Sequence, residues 1–461
     1  MTNPADLSAV DLLAAYRRKS LSPVEAIEAA LARIAAAEPK LHAMYALDPE
    51  GARAAARASE RRWMAAEPAG ALDGVPITIK DNIATRGVPV PLGTAASLLT
   101  PAEADAPPAA RVREAGAVML GKTTMPDYGM LSSGLSSFHP LTRNPWDVSR
   151  NPGGSSAGAA AAAAAGYAPL NLGTDIGGSI RLPAGWCGVV GLKPSFGRVP
   201  IDPTYIGRVA GPITRTVADA ALLMEVLSRP DGRDPMCLPP SAIEWHRLER
   251  EVRGLKLGLL LDIGIGAPPE PEVRAAIEAA ARAFAAAGAV VEKLPPFLTR
   301  AMLEGLDRFW RVRAWSDMAS LPPERLERVL PYIRQWAEGG AEFSGLEVFS
   351  GFSQIGEMRA ATLAACRPFD FVLSPTAPMP AFAAERASPI DDPARPFEHI
   401  CFTVPFNMSE QPAISVNCGF ASGGLPIGLQ IIGRRFDDLG VLQVARAYEQ
   451  MRPAQREWPG F

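Results

Sequence analysis

Two glycine-rich segments that each carry a serine constrain this chain more than any other feature. They are Pro152–Gly158, which reads PGGSSAG, and Gly173–Arg181, which reads GTDIGGSIR; Ser155 and Ser179 stand 24 positions apart (179 − 155). Glycine adopts turns that are closed to other residues, so the second segment can direct successive backbone N–H groups toward one point. Such a cluster of donors suits a developing oxyanion. A lone Gly-Gly-Ser is usually a plain turn, but here a second glycine-flanked serine stands in the same half of the chain.

A lysine at the end of a predicted strand supplies a candidate base. Lys80 follows the apolar stretch Gly74–Ile79, which alternates as a strand does, and precedes the turn Asp81-Asn82. A lone lysine is most often solvated, yet this position indicates burial, which lowers the pKa of a lysine because it disfavours the charged form. A neutral lysine can act as a general base near pH 7, and a serine needs a base to become a good nucleophile. These residues predict a Ser-Ser-Lys hydrolase of amides or closely related acyl compounds.

Composition excludes several other classes of protein. Of the 461 residues, 48% are hydrophobic and 21% are charged, which predicts a sizeable core and not a disordered chain. The net charge of −3 and the lack of a basic block argue against a nucleic-acid surface. No apolar run reaches the roughly 18–20 residues that span a bilayer, and Met1–Asp6 has no export signal. We therefore expect a cytoplasmic protein that binds neither nucleic acid nor membrane.

The cysteines and histidines indicate neither disulfides nor a metal site. The five cysteines are scattered without a C-x-x-C pair, which makes a disulfide scaffold and a cysteine zinc site unexpected. The four histidines never fall at H-x-x-x-H spacing. The sequence therefore implies no metal and no cofactor. These residues are Cys187, Cys237, Cys366, Cys401 and Cys418, and His42, His139, His246 and His399.

Strand and helix patterns alternate along the middle of the chain, which favours an α/β layered core. Ser22 before Pro23 is typical of a helix start and predicts a helix that runs to about Ala37. We expect one domain, residues 1–461, with a helical N-terminal region (1–70), a catalytic core (71–230) and a helical, aromatic-rich cap or insertion (297–352).

The aromatic residues of the cap admit two interpretations. They could form a hydrophobic pocket for the acyl or leaving group, or they could pack a small core of the cap's own, since large aromatics dominate cores. The two interpretations concern Phe309, Trp310, Trp315 and Trp336, and Tyr332 and Phe343 lie in the same segment.

Two further motifs compete with the Ser-Ser-Lys interpretation. Gly116–Thr123 matches the Walker A pattern, but its middle residues read as a strand and Pro126 disrupts the helix that phosphate binding needs, so we reject it. Gly154–Gly158 contains G-x-S-x-G with Ser156 at its centre, as in the nucleophile elbow of α/β-hydrolase esterases. That elbow should follow a buried strand, whereas a loop precedes this one. His399 with Asp391 or Asp392 would have to complete its triad, and we keep this as a minor alternative.

The two glycine-rich segments resemble the amidase signature family almost residue for residue. The match continues through Cys187-Gly188 and Gly191–Ser195. Four more stretches extend it over nearly the whole chain: Asp73–Asn82, Leu120–Thr123, Thr142–Trp146 and Leu425–Gly433. One departure is Ala157, where the family usually has glycine, and a methyl group should be tolerated there at a helix start.

The resemblance implies a fold and a set of roles. The fold is a large twisted mixed β-sheet sandwiched between α-helices. Ser179 would be the acylated nucleophile, and Ser155, on a cis peptide bond after Gly154, would link it to Lys80. The other implied roles are an oxyanion hole from the backbone N–H groups of Ile176, Gly177, Gly178 and Ser179, supporting contacts from Ser156, Asp175 and Arg181, and substrate binding by the backbone at Gly129.

The family hydrolyses several bond types, so we expect a small-molecule amide hydrolase and leave anilides, carbamates (urethanes) and esters open. An alternative is the glutaminase subunit of a tRNA-dependent amidotransferase, which resembles this chain at Phe402–Pro405 and Arg359. Those subunits typically carry an aspartate just before Phe402, where this chain has Ile400 and Cys401, and this argues against ammonia delivery from glutamine. A non-catalytic binding protein is a third reading, and the presence of Lys80 and both serines argues against it. The chain could be a monomer or a homodimer.

Overall fold

The structure, a computed structural model, describes residues 3–461. Met1 and Thr2, on which the expectation of no export signal partly rests, lie outside the described residues. Eleven strands of the described chain form a single sheet. They are β1 Met44–Tyr45, β2 Pro76–Lys80, β3 Val118–Thr123, β4 Leu170–Asp175, β5 Val190–Lys193, β6 Val209–Thr214, β7 Lys256–Leu259, β8 Val290–Lys293, β9 Phe371–Pro375, β10 Ala413–Phe420 and β11 Pro426–Ile432.

Helices surround this sheet. The α-helices are α1 Ala9–Arg17, α2 Pro23–Leu41, α3 Pro49–Met64, α4 Pro107–Glu114, α5 Ala157–Ala165, α6 Arg181–Cys187, α7 Val217–Leu227, α8 Pro271–Ala286, α9 Arg300–Met318, α10 Pro323–Leu326, α11 Pro331–Glu338, α12 Gly345–Cys366, α13 Val404–Met408 and α14 Asp438–Met451. Short 3₁₀ turns lie at Pro4–Asp6, Asp127–Gly129, Gly339–Glu342 and Glu398–Ile400.

The sheet is mixed, with the strand order β1-β3-β2-β4-β6-β5-β10-β11-β9-β7-β8. Strand β2 runs parallel to both of its neighbours, β3 and β4. The carboxyl ends of parallel strands meet at one edge of a sheet, where α/β proteins place their sites. Lys80, Thr123 and Asp175 end these three strands and so share that edge. The predicted α/β fold with a large mixed sheet is confirmed.

The two largest hydrophobic clusters lie on opposite faces of the sheet. Neighbouring strand residues point to opposite faces, and Leu373 and Ile431 belong to one core while Val372 and Ile432 belong to the other. The second core also contains Trp310 and many other residues of the cap. The cap segment 297–352 therefore packs on the sheet through this second core.

Helix α5 is unusual because all nine of its residues are buried and nearly all are alanine. Small side chains let the backbone approach its neighbours closely. A Cβ atom at Gly158, in the first turn, would clash with the carbonyl oxygen of Ala43. The methyl group of Ala157, the departure from the family pattern, is accommodated at the start of this helix with no exposed surface.

The predicted start of α2 is confirmed, since Ser22 and Glu25 form a capping box around Pro23. The helix runs to Leu41, four residues beyond the predicted end at Ala37. Leu41 is fully buried, and its burial extends the apolar face of the helix by one turn.

Residues 3–461 contain no helix whose length and hydropathy would allow it to cross a membrane.

Candidate active site

The site forms where the carboxyl ends of β2 and β4 meet the first turn of α5. Residues Ile79 and Leu172 are paired across β2 and β4, which places Lys80, the next residue, beside the end of β4. The serines Ser155 and Ser156 immediately precede α5. Glycine at position 173 permits their approach, because a Cβ there would lie 2.9 Å from the Ser156 hydroxyl.

Lys80 is fully buried, and its amine contacts three hydroxyl groups. The Nζ atom lies 2.8 Å from Ser155 Oγ, 3.0 Å from Ser156 Oγ and 3.0 Å from Thr174 Oγ1. An ammonium group has three N–H donors and could satisfy all three contacts, whereas a neutral amine has two donors and one lone pair. The neutral form can therefore accept a proton from one of these hydroxyls.

The electrostatic environment favours that neutral form. Burial lowers the pKa of Lys80 to about 7, and the nearby Arg208 guanidinium contributes to the shift, while the carboxylates of Asp175 and Asp81 oppose it. An ordinary lysine has a pKa near 10.4. Near neutral pH a large fraction of Lys80 is thus uncharged.

The two segments that carry the predicted serines, Ser155 and Ser179, are joined by a backbone hydrogen bond. The peptide bond between Gly154 and Ser155 is cis, as the resemblance implied. The N–H of Ser156 donates to the carbonyl oxygen of Ser179 at 3.1 Å, which ties the two serine-bearing segments together. Ser155 is buried, with 3% of its surface exposed, whereas Ser179 is half-buried and lines a cavity. Gly129 lines the same cavity, and a Cβ there would lie 3.3 Å from Ser155 Oγ.

A buried ion pair holds the loop that carries Ser179. Asp175 and Arg181 are fully buried, and the guanidinium donates to both carboxylate oxygens at 3.0 Å. The carboxylate also accepts the N–H of Ile180 at 3.0 Å and the side-chain amide of Asn407 at 2.9 Å. Burial alone would raise the pKa of Asp175, but Arg181 outweighs it and holds this pKa well below its usual value. The loop is therefore fixed by charge-assisted hydrogen bonds.

One predicted oxyanion donor is directed elsewhere. The N–H of Gly178 donates to Asp175 Oδ1 at 2.8 Å, and Gly178 does not line the cavity, unlike Ile176, Gly177 and Ser179. The prediction that Gly178 supplies an oxyanion donor is therefore wrong in this geometry. The carboxylate of Asp175 binds this N–H as part of bracing the loop, which leaves three amides as candidates.

The cavity beside Ser179 has mainly apolar walls. It is a small cavity of about 50 Å³ that is partly open to solvent. The cap contributes Trp310, Tyr332 and Trp336. Phe397 joins them, with its ring centroid 5.1 Å from that of Trp310.

The cap aromatics are thus divided between the wall of the cavity and the packing of the cap itself. Phe309 packs against Phe352, with ring centroids 5.3 Å apart, and Phe343 lies beneath the Arg308 guanidinium. Neither lines the cavity, and neither does Trp315.

The competing motifs have other roles in the structure. Lys122 of the Walker-like string lies in β3, is buried and donates to Ile83 O and Thr85 Oγ1. Ser156, the centre of the elbow motif, contacts Lys80. His399 has no hydrogen-bond partner on either ring nitrogen among residues 3–461, so it forms no triad with Asp391 or Asp392. The nucleophile-elbow alternative is wrong.

Sequence reasoning did not single out Thr174 and Asn82. Thr174 Oγ1 contacts Lys80 Nζ and also accepts from Asn82 Nδ2 at 3.1 Å. Both residues lie inside the motifs used for the resemblance, at the ends of neighbouring strands. The pairing of β2 with β4 was the signal that could have identified them.

Metal binding finds no support in the side chains. Within residues 3–461, no group of three or more His, Cys, Asp or Glu residues is arranged to hold a metal ion. The five cysteines are free thiols.

Known proteins are similar to this chain in sequence and in fold. A family model described as Amidase matches residues 25–442. The A subunit of glutamyl-tRNA(Gln) amidotransferase from Myxococcus xanthus (strain DK1622) is 37% identical over 478 residues, which cover 96% of this chain and 97% of that protein. Its counterpart in Roseiflexus sp. (strain RS-1) is 36% identical over 98% of this chain and 97% of that protein. The crystal structure of a bacterial aryl acylamidase of the amidase signature enzymes superposes with a TM-score of 0.89 at 32% identity, covering 96% of each chain.

Proposed function

Because the chain belongs to the Amidase family, we propose that it hydrolyses a carbon–nitrogen amide bond of a small molecule through an acyl-enzyme on Ser179. One observation carries this proposal. Lys80 Nζ is buried at 2.8 Å from Ser155 Oγ, beside the cavity that Ser179 lines. This arrangement supplies a base, a relay hydroxyl and a second serine that is open to substrate.

In the reaction that we propose, Ser155 passes a proton between Ser179 and Lys80. Neutral Lys80 takes the proton of Ser155, which takes the proton of Ser179 as that oxygen attacks the substrate carbonyl carbon. The carbonyl oxygen becomes an oxyanion and is stabilised by the N–H groups of Ile176, Gly177 and Ser179. The proton returns through Ser155 to the leaving nitrogen as the C–N bond breaks. Water then attacks the acyl-enzyme by the same route and releases the acid.

The contact between Thr174 and Lys80 allows a test of what sets the pKa of the proposed base. In Thr174→Val one N–H of the charged lysine loses its acceptor, so the charged form is disfavoured and the pKa of Lys80 falls below about 7. We expect the acid limb of kcat/KM to move to lower pH, with about a tenfold loss at the plateau because the base is weaker.

Thr78→Val is the matched control for this variant. Thr78 lies in the same strand as Lys80 and donates to Asn171 Oδ1 at 2.7 Å, without a contact to Lys80. Its acid limb should remain at the wild-type pH. An equal shift in both variants, or no shift in Thr174→Val, would count against a tuning role for Thr174.

The choice of substrate has two candidates. The curated relatives favour the A subunit of an amidotransferase over a free-standing amidase, since the relatives cited above both carry that name. The cavity supports the free-standing amidase. Ile400 contributes an apolar wall close to where the aspartate of the amidotransferase subunit is expected. Arg359, the other point of resemblance, lies outside the cavity lining and is paired with Glu410 at 2.7 Å. We therefore propose an acyl substrate with an apolar portion and keep the amidotransferase role as the second candidate.

A substrate panel distinguishes the two. The purified chain alone should hydrolyse at least one member of a set of p-nitroanilides, primary amides and aryl carbamates, at least tenfold faster than glutamine. Glutamine should also be tested with the other subunits of a bacterial amidotransferase and its tRNA. Glutamine hydrolysis that appears only in that mixture, with no turnover of the panel, would establish the second candidate and contradict the first.

A further inference from the structure

A buried histidine in the cavity wall has no partner in the protein. His399 lies in the 3₁₀ turn Glu398–Ile400 and is 2% exposed. Neither ring nitrogen has a hydrogen-bond partner among residues 3–461. Buried polar groups are nearly always bonded, because an unpaired one destabilises the protein. The position of His399 therefore calls for a physical explanation.

The turn that carries His399 is attached to the loop that carries Ser179. Thr403 Oγ1 lies 2.6 Å from the carbonyl oxygen of Gly177 and 3.0 Å from that of Ile400. A Cβ at Gly177 would lie 3.2 Å from Ile400 Cδ1. His399 and Ser179 both line the same cavity. The histidine is thus held at a fixed position relative to the proposed nucleophile.

Other roles for this side chain do not fit its surroundings. The neighbouring carboxylate, Glu398, is paired with Arg300 at 2.5 Å and with Arg395 at 3.8 Å, so it forms no ion pair with the imidazole. In the described part of the chain no ligand cluster would place a metal on His399. The lining around it is largely apolar, with Phe397, Ile400 and Trp310.

The chemistry of the ring defines what it can bind. Burial lowers the pKa of His399 to about 3, so the imidazole is neutral at physiological pH. A neutral imidazole offers one N–H donor and one acceptor nitrogen. A neutral group that can donate or accept, such as an amide or a hydroxyl, can pair with one of these nitrogens, whereas a purely hydrocarbon substrate would leave both nitrogens unpaired.

We propose that His399 is a specificity-determining residue that hydrogen-bonds a second, neutral polar group of the substrate, remote from the scissile amide. This inference rests on the proposed function, because it needs Ser179 to act on a ligand in this cavity. The substrate is then an amide with an apolar body and one additional amide or hydroxyl group. The unpaired imidazole makes the empty enzyme less stable, and the bound substrate pairs with one of its ring nitrogens.

The test uses substrates that differ only in that group. On the acyl side, the p-nitroanilides of N-acetylglycine, N-acetyl-β-alanine and N-acetyl-4-aminobutyric acid are compared with those of pentanoic, hexanoic and heptanoic acids. On the leaving-group side, butyric acid 4-acetamidoanilide is compared with the 4-propylanilide. In the wild type at least one polar member should exceed its carbon counterpart by tenfold or more in kcat/KM.

The variants separate a binding role from a structural one. His399→Leu should bring that ratio to about one, and His399→Gln, which keeps a donor and an acceptor, should retain part of it. His399→Leu should also raise Tm by about 1–3 °C, because two unpaired buried nitrogens are removed. The exposed His246 is the matched control; His246→Leu should change neither the ratio nor Tm.

Two results would overturn the inference while leaving the proposed function intact. In the first, the wild type turns over substrates of both series but shows no preference for the polar members over their carbon counterparts. In the second, the wild type shows this preference and His399→Leu retains it unchanged. A lower Tm with unchanged preference would make His399 a structural residue. If the wild type turned over no member of either series or of the wider panel, the proposed function itself would fail, and this inference would fail with it.

Discussion

Replacing Ser179 by alanine is expected to reduce kcat by about 10⁵-fold or more, because removal of the nucleophile from a hydrolase leaves only binding and oxyanion stabilisation. Labelling by an activated phosphonate should disappear in the same variant. The half-buried position of Ser179 in the cavity wall makes its hydroxyl accessible to both reagents. Kinetics and intact-mass spectrometry of the phosphonate adduct measure the two effects.

A second serine provides the matched control. Ser132 lines the same cavity, yet it is not part of the relay that we propose, so Ser132→Ala should still be labelled at Ser179. An adduct that forms on Ser179→Ala at the wild-type rate would show that another residue is the nucleophile, and peptide mapping would identify it.

Replacing Lys80 by methionine is expected to lower kcat by about 10⁴-fold, at the upper end of what a general base contributes. Methionine has a similar length and no charge, so it suits a fully buried site and should preserve the fold. The loss should appear in kcat more than in KM, since the amine contacts hydroxyl groups of the protein and not the cavity.

Lys193→Met controls for the removal of a buried lysine. Lys193 is also fully buried, its pKa is lowered by burial to about 7, and its amine donates to Pro194 O at 2.9 Å. We expect kcat of this variant to stay within about tenfold of the wild type. More than a tenth of wild-type kcat in Lys80→Met, or an equal loss in both variants, would contradict a specific role for Lys80.

Local sequence patterns predicted much of the fold. The alternation before Lys80 predicted a strand, and β2 ends at that residue. The helix start at Ser22 is confirmed because capping depends on residues within one turn. The burial of Lys80 is also predicted from neighbouring residues, because the strand that ends at Lys80 is apolar and lies in the core.

Features that depend on contacts between residues distant in the sequence were harder to predict from the sequence. Thr174 is an ordinary strand residue until β4 pairs with β2 and brings its hydroxyl to Lys80. The N–H of Gly178 looked equivalent to its neighbours, and only the folded position of the Asp175 carboxylate shows that it is already bonded.

His399 and the aromatic residues of the cap also show that local sequence patterns do not predict long-range contacts. The aspartates near His399 in the sequence make it a candidate for an esterase triad, yet its ring has no partner in the described chain. The division of the cap aromatics between the cavity and their own packing depends on how α9 and α11 lie on the sheet, which no local pattern encodes.

The pH dependence of kcat/KM tests the central claim most directly, namely that an uncharged Lys80 is the base. Since burial lowers the pKa of Lys80 to about 7, activity should be at its plateau above this pH. It should fall about tenfold per pH unit below it, as the amine gains a proton. This acid limb should persist in Lys193→Met and vanish from the residual activity of Lys80→Met. A wild-type profile that is flat from pH 5 to 9, or an acid limb that survives in Lys80→Met, would contradict the account.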